Sequence, residues 1–335
     1  MTERPTLADV ARNAGVSIAT ASQALRGTGR ISRATREKVA RVAREIRYVP
    51  DLRAAAMRSG DNREIGFVIN QLHNPFNAEV VSGAVDLLER QNYLVSIFDM
   101  RDDVARQDRQ LQAFIRHGRG GVLWVPALDT PDEAFELLRA HGIPTVTFLR
   151  NPGQNLDHVG IRNAEALQTA VDHLADLGHK DIAYLGGQGM GPVRRDRIAG
   201  YRRQMAERGL AAPIIWDSDD TKQAGLVQMQ ALMRDHPQVT AVVCNGDMVA
   251  IGACLALVRM GIQPSREVSV IGFDDTEEAA LVIPPLTTLS VAPYKLGQKL
   301  AQTLLDRIAD PQMPPVVAEV SARLVTRATT GAPQR

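Results

Sequence analysis

The sequence predicts a small all-α helix-turn-helix head joined to a larger α/β body made of two parallel-sheet lobes. Three observations predict it. Apolar residues recur at helical spacing through residues 6–26, with one glycine break. From Glu64 short continuous apolar runs alternate with helical stretches, and the series starts afresh at Ala164. Charge divides the chain near the same place. Residues 1–60 carry 12 Lys plus Arg against 5 Asp plus Glu, and the remainder 27 against 33.

In the head, Leu7, Val10, Ala11 and Ala14 fall on one face of a short helix. Gly15 can end it in a left-handed conformation. Val16 reads as a buried turn residue, and Ser17 can cap the next helix. Ala21, Ala24 and Leu25 give that helix a narrow apolar stripe, while Ile18, Ala19, Thr20, Ser22 and Gln23 occupy its other face. A second helix so exposed can lie in a DNA major groove. An amphipathic hairpin without any nucleic-acid role has the same period. The basic charge on this segment favours a surface that meets phosphate. Ser32 or Arg33 opens a third helix, with Val39, Val42, Ala43 and Ile46 inward and Arg33, Arg36, Lys38, Arg41 and Arg44 outward. Residues 51–59 read as a short helix stopped by Gly60, or as a flexible linker.

In the body, runs at Ile65–Ile69, Leu94–Phe98, Val122–Val125 and Pro144–Leu149 alternate with helical stretches at Phe76–Leu88, Ala105–Ile115 and Phe135–Leu138. Residues 157–161 lead out of this lobe. The second series runs from the helix at Ala164–Leu177 through strands at Ile182–Leu185, Pro213–Trp216, Val239–Val243 and Val268–Ile271, with helices at Val193–Arg208, Ala224–Met233 and Val249–Met260 between them. Such runs mean βαβ units and two parallel sheets. Two such lobes place a cleft at their strand ends. Sugar and nucleobase sites need a few placed polar groups and an aromatic face. Gln71, Asn74, Phe76 and Asn77 follow the first strand, and Phe148 and Arg150 the fourth. Phe76 suits ordinary core as well.

Several chemistries are excluded or disfavoured. Gly186-Gly187-Gln188-Gly189-Met190-Gly191 follows a strand, but its spacing departs from G-x-G-x-x-G and no acidic residue ends the next strand. It reads as a cleft-lining loop. His173 and His179 are the nearest histidine pair and lack a third partner, so no metal is expected. No Gly-x-Ser-x-Gly elbow occurs, and no catalytic residues or cofactors are expected. No run of about 20 apolar residues exists, so no membrane partner is expected. Met1-Thr2-Glu3-Arg4 has no apolar core behind it, and the only cysteines are Cys244 and Cys254. The expectation is a reduced, cytoplasmic chain.

The chain resembles the LacI/GalR family of bacterial transcription repressors. In the head Thr6, Asp9, Val10, Ala11, Ala14, Gly15, Val16, Ser17, Thr20, Ser22 and Leu25 match it, followed by Ile31-Ser32, Thr35-Arg36-Glu37-Lys38-Val39, Tyr48 and Pro50. In the body Asn74-Pro75-Phe76, Gly178-His179, Arg197-Ile198-Ala199-Gly200-Tyr201, Gly272-Phe273-Asp274-Asp275 and Pro284-Pro285-Leu286-Thr287-Thr288 do so. The wording is similar to repressors of sugar genes. The resemblance implies a periplasmic-binding-protein-like body whose chain crosses its hinge three times. It implies a head over 1–48, a hinge over 49–62, and an effector-binding and dimerising body over 63–335. The first lobe would hold about 63–161 and 292–320, and the second about 162–291 and 321–330.

The same resemblance implies partners and sites. The partners are double-stranded, pseudo-palindromic operator DNA, a small-molecule effector and a second copy in a homodimer. DNA contacts are expected from Thr6, Ser17, Ile18, Ala19, Thr20, Ser22, Gln23, Arg26, Ser32 and Tyr48. Further contacts are expected from Arg53, Ala54, Met57 and Arg58 of a hinge helix that folds on DNA, with Met57 as an apolar minor-groove wedge. The family commonly has Arg where Gln23 stands, and Gln suits adenine where Arg suits guanine. Arg197 matches the family's effector-binding arginine, and Asp247 and Asp274 match acidic positions after two strands of the second lobe. Asp274-Asp275 also suits a helix cap. Gly246 and Arg162 replace the family's usual Asn and Asp. Arg150, Arg162 and Arg197 together would suit an anionic ligand such as a sugar phosphate or sugar acid. The resulting expectation is a sugar-responsive repressor. A transporter's solute-binding protein is opposed by the basic head, and an α/β enzyme by the missing catalytic constellation.

Overall fold

The computed structural model describes residues 4–50, 62–153, 155–189 and 191–334. It divides into two compact units, Met1–Asn62 and Arg63–Arg335.

Among the described residues the first unit holds three helices: α1 (Leu7–Ala14), α2 (Ile18–Arg26) and α3 (Arg33–Glu45). Each starts on a hydroxyl cap. Thr6 and Asp9 form a reciprocal capping box, Ser17 Oγ accepts from the Thr20 amide at 3.0 Å, and Ser32 Oγ accepts from the Thr35 amide at 3.2 Å. Gly15 ends α1 at φ 64°, where a side chain would be strained. That sharp stop lets α2 leave at an angle, so Val10, Ala11, Ala14, Ala21, Ala24, Val39, Val42 and Ala43 meet in one small core. Val16 and Tyr48 are half-buried against that core. Arg36 departs from the expected outward face. It is half-buried and donates to the Gly29 carbonyl at 3.0 Å, because the turn after α2 passes over it.

The second unit carries two six-stranded sheets. The first is built from β1 (Glu64–Ile69), β2 (Leu94–Asp99), β3 (Gly121–Trp124), β4 (Thr145–Phe148), β5 (Asp157–Ile161) and β11 (Val317–Val320), in the order β11-β5-β4-β3-β1-β2. All its pairings are parallel. The second is built from β6 (Ile182–Leu185), β7 (Ile214–Trp216), β8 (Ala241–Cys244), β9 (Ser269–Asp274), β10 (Thr287–Ser290) and β12 (Arg323–Val325). Its order is β12-β10-β9-β8-β6-β7, with only β12 antiparallel. β1, β3, β4, β6, β8 and β9 are buried almost throughout, which is why they read as largely apolar rather than alternating.

Helices cover the faces: α4 (Pro75–Arg90), α5 (Val104–Arg116), α6 (Asp132–Ala140) and α12 (Pro293–Ala309) on the first sheet. On the second lie α7 (Asn163–Asp176), α8 (Pro192–Glu207), α9 (Lys222–Asp235), α10 (Asp247–Arg259) and the short α11 (Glu277–Leu281). The chain passes between the sheets three times, after Ile161, after Ser290 and after Val320. Residues 157–161 are therefore a strand, paired between β4 and β11, and more than an exit segment. α4 and α12 approach closely enough that a Cβ on Gly83 would stand 1.9 Å from the Tyr294 carbonyl oxygen, and one on Gly297 1.9 Å from that of Val80.

Each sheet reverses its winding once, between β1 and β3 and between β6 and β8. Parallel sheets bind ligands beyond the carboxyl ends of their strands at such reversals. No described helix is long and apolar enough to cross a membrane.

Candidate functional site

A cavity of about 460 Å³ opens at those strand ends, between the two lobes of the body. Asn70 and Gln71 enter it after β1, Asp102 after β2, Leu149 and Arg150 after β4, and Gly187 and Gln188 after β6. Asp219 and Asp220 come after β7, Asn245 and Gly246 after β8, and Asp274 ends β9. Phe76 supplies an apolar wall and Asn74 caps α4, its Oδ1 accepting from the Phe76 amide at 3.0 Å. Asn77 donates to the Gln71 carbonyl at 2.8 Å and so holds the loop after β1.

Of the expected effector residues, Gln71, Asn74, Phe76, Asn77, Arg150, Arg197 and Asp274 line this cavity. Phe148 and Asp247 do not. Phe148 is buried behind the wall and stacks on Phe76 at 6.2 Å between ring centroids. Asp247 is sunk at the start of α10, where it accepts from the Thr276 amide at 2.8 Å and the Thr288 hydroxyl at 2.6 Å. It braces β9 and β10 from beneath the site, and burial lifts its carboxyl to about 6. Phe148 was expected from its place at a strand end and Asp247 from the family resemblance, but a side chain there can point outward or inward.

The expected cluster of free arginines is also corrected. Arg150 is bound bidentately by Asp102, with Nη2 2.7 Å from Oδ2, and donates to the Pro126 carbonyl at 2.8 Å. Arg162 is absent from the lining and lies near Glu165 at 3.6 Å. Arg197 donates to Asn163 Oδ1 at 2.8 Å and to the Asn245 carbonyl, and stacks 3.6 Å from the Phe273 ring centroid. Arg194, not anticipated, lines the cavity with its charge met by Asp217. Asp219-Asp220 were also missed, although they follow a strand as Asn74 and Arg150 do. Burial raises the carboxyls of Asp220 and Asp274, the latter well above the usual range. The arrangement offers acceptors and amides to hydroxyl groups, and its arginines are held by protein partners.

The glycine-rich stretch after β6 supplies Gly187, Gln188 and Gly191 to the lining. Among the described residues no group of His, Cys, Asp and Glu is placed to hold a metal ion.

In the head, Ile18, Ala19 and Gln23 stand exposed on one face of α2, flanked by the half-buried Thr20 and Ser22. Arg26 is exposed at its end. Thr6, Ser17 and Ser32 cap the three helices, placing all three helix N-termini, with their outward amides, on hydroxyl-bearing residues that can also meet phosphate. Gln23 lies over the turn after α2, where a Cβ on Gly29 would stand 2.7 Å from its Oε1. Arg53, Ala54, Met57 and Arg58 lie outside the described residues.

Residues 6–51 match the model of the bacterial regulatory proteins of the lacI family, and residues 171–330 that of the periplasmic binding protein-like domain. The maltose regulon regulatory protein MalI of Escherichia coli K12 is 30% identical over 96% of this chain and 97% of its own length. The HTH-type transcriptional repressor PurR of Vibrio campbellii is 32% identical over 97% of this chain and 98% of its own. The lac repressor dimer bound to operator and an anti-inducer superposes with a TM-score of 0.87 at 25% identity, covering 98% of this chain and 100% of that one. A capped three-helix head, two parallel-sheet lobes around a polar cleft, and similarity over almost the whole length all agree: the chain belongs to the lacI family of bacterial regulatory proteins.

Proposed function

We propose that this chain is a homodimeric, operator-binding transcriptional repressor whose DNA affinity is set by a hydroxyl-rich small molecule, a sugar or sugar derivative, held in the cleft. The observation that carries the reading is the cleft itself. It combines an apolar wall at Phe76 with amides from Asn70, Gln71, Asn74 and Gln188 and carboxylates from both lobes. Sugar recognition needs that combination of groups. Residues 63–335 form the effector-binding and dimerising body and residues 49–62 the hinge. Two heads read two half-sites of a pseudo-palindromic operator, so a dimer is required. Ligand that favours one lobe arrangement changes operator affinity, and operator changes ligand affinity by the same factor. Met57 is the apolar residue that wedges a minor-groove step, with Arg53, Ala54 and Arg58 beside it. A protein that works on the chromosome works in the cytoplasm.

The test starts from operator selection with the purified full chain, followed by fluorescence anisotropy against pentoses, hexoses and disaccharides. The expected result is a selected palindrome whose affinity changes severalfold with one sugar class. A chain that selects no DNA, or whose operator binding is indifferent to every sugar and amino sugar, overturns the proposal.

A further inference from the structure

Asp274 ends β9 with its backbone at φ 115°, a conformation that L side chains rarely adopt. Its side chain lines the cleft, and the residue is 7% exposed. Among the described residues no hydrogen bond or ion pair reaches its carboxylate, although the charge of Arg197 acts on it. Gly246, beside it, brings no side chain, and a Cβ there would stand 3.3 Å from Asp274 Oδ2. A buried carboxylate without a donor is costly, so this one is open for a donor that arrives with the ligand.

The surrounding charge says which donor. Asp102 is taken by Arg150 and Arg194 by Asp217. Among the described residues that line the cleft, Arg197 and Arg194, the latter shared with Asp217, stand against the three carboxylates of Asp219, Asp220 and Asp274, and both act on Asp220. Asp220 accepts from Asn245 Nδ2 at 2.7 Å, which answers its hydrogen bonding but leaves its charge. Asp274 is repelled by Asp247 most, and by Asp220 and Glu79. A ligand hydroxyl would satisfy lone pairs but bring no counter-charge to this acidic cluster. An ammonium group satisfies both.

We propose that the effector of this cleft bears a protonated amine beside its hydroxyl groups, as in an amino sugar or another polyhydroxylated amine, and that the ammonium seats on Asp274 and Asp220. The inference rests on the reading of the cleft as the effector site. Because burial holds the Asp274 carboxyl well above its ordinary range, seating an ammonium there favours the ionised form, and a proton it carried leaves to solvent.

Calorimetric titration of the full chain tests it with matched triplets: glucose, galactose and mannose, their 2-amino sugars, and their N-acetyl derivatives. One amine is expected to bind at least about tenfold tighter than its parent and its N-acetyl form, as a charged hydrogen bond would give. Its affinity should rise from pH 5.5 to 7, with proton release seen as a dependence on buffer ionisation heat. Asp274→Asn should remove the discrimination, and Asp220→Asn serves if the first variant does not fold. If no amine outbinds its partners, or if affinity falls as pH rises over that range, the inference is overturned. A neutral sugar that binds best and shifts operator affinity overturns the inference while leaving the cleft as the effector site. If no probe binds, the inference fails with the sugar-class reading.

Discussion

Arg150 grips Asp102 through both terminal nitrogens, and the pair ties together the loops that follow β2, β3 and β4. Arg150 also donates to the Pro126 carbonyl, and Asp102 Oδ1 accepts from the Leu128 amide at 3.2 Å. Both side chains are less than a third exposed. Arg150→Ala leaves a half-buried carboxylate without its partner and should cost about 1–3 kcal/mol in urea unfolding, reduced somewhat by the solvent that reaches the pair. Arg150→Ala with Asp102→Ala should cost less than the two single changes added together. Additive costs would show that the pair is not coupled.

The contact of α4 with α12 rests on Gly83 and Gly297. Gly297→Ala would drive a methyl into the Val80 carbonyl, so the helices must separate or the backbone must shift. Overpacking of this kind costs about 1–3 kcal/mol or more, although alanine favours an isolated helix. A midpoint of unfolding equal to or above the parent's would contradict the close approach.

Gln23 stands exposed on the face of α2 that also carries Ile18 and Ala19. A glutamine there is expected to pair with adenine through N6 and N7, and Gln23→Arg to move that preference to guanine, with about 1–3 kcal/mol of discrimination. Binding-site selection on both proteins reads it directly. An unchanged guanine preference in the parent protein would sink the assignment.

Acid behaviour should carry two opposite signatures. His158 is buried beside Thr147, and burial lowers its pKa to about 4. It contributes stability that is complete above the unfolded value of 6.5 and lost as pH falls through 4, about 3 kcal/mol in all. Asp247 has the reverse sign. Its raised pKa favours the fold below the ordinary 3.8, and that stability is lost as pH rises through 6. Between pH 6.5 and 4 the parent should therefore lose more stability than His158→Gln, and Asp247→Asn should lose more than the parent. Parallel pH profiles for all three would refute the assignment.

The head and the two-lobe body were legible because they rest on local patterns: hydroxyl caps, a left-handed glycine, and apolar runs of strand length. What escaped depended on distant partners. β5 begins with Asp157-His158, which interrupts an apolar run, yet Asp157 is held by Arg307 from α12 at 2.7 Å. β10 reads as polar, but Thr287 and Thr288 are buried because Thr329 and Asp247 meet them. The cleft was legible as a place, since strand ends mark it. The facing of individual groups was not. Asp247 and Phe148 turn inward, and the pairing of Arg150 with Asp102 spans 48 residues. A charge count without pairings therefore suggested an anion site where acidic groups prevail.

The three passages of the chain between the sheets bear on synthesis. The first sheet needs β11 at Val317–Val320 for its edge, and α12 at Pro293–Ala309 to cover β3 and β4. A ribosome therefore releases five strands of that sheet long before the elements that shield them. At about 5–20 residues per second, roughly 10–30 s separate the synthesis of Phe148 from that of Pro293, and for that time Val122, Leu123 and Val146 lack the helix that covers them. The nascent chain thus carries an open apolar face through a long stretch of translation, a surface of the kind that holdase chaperones cover.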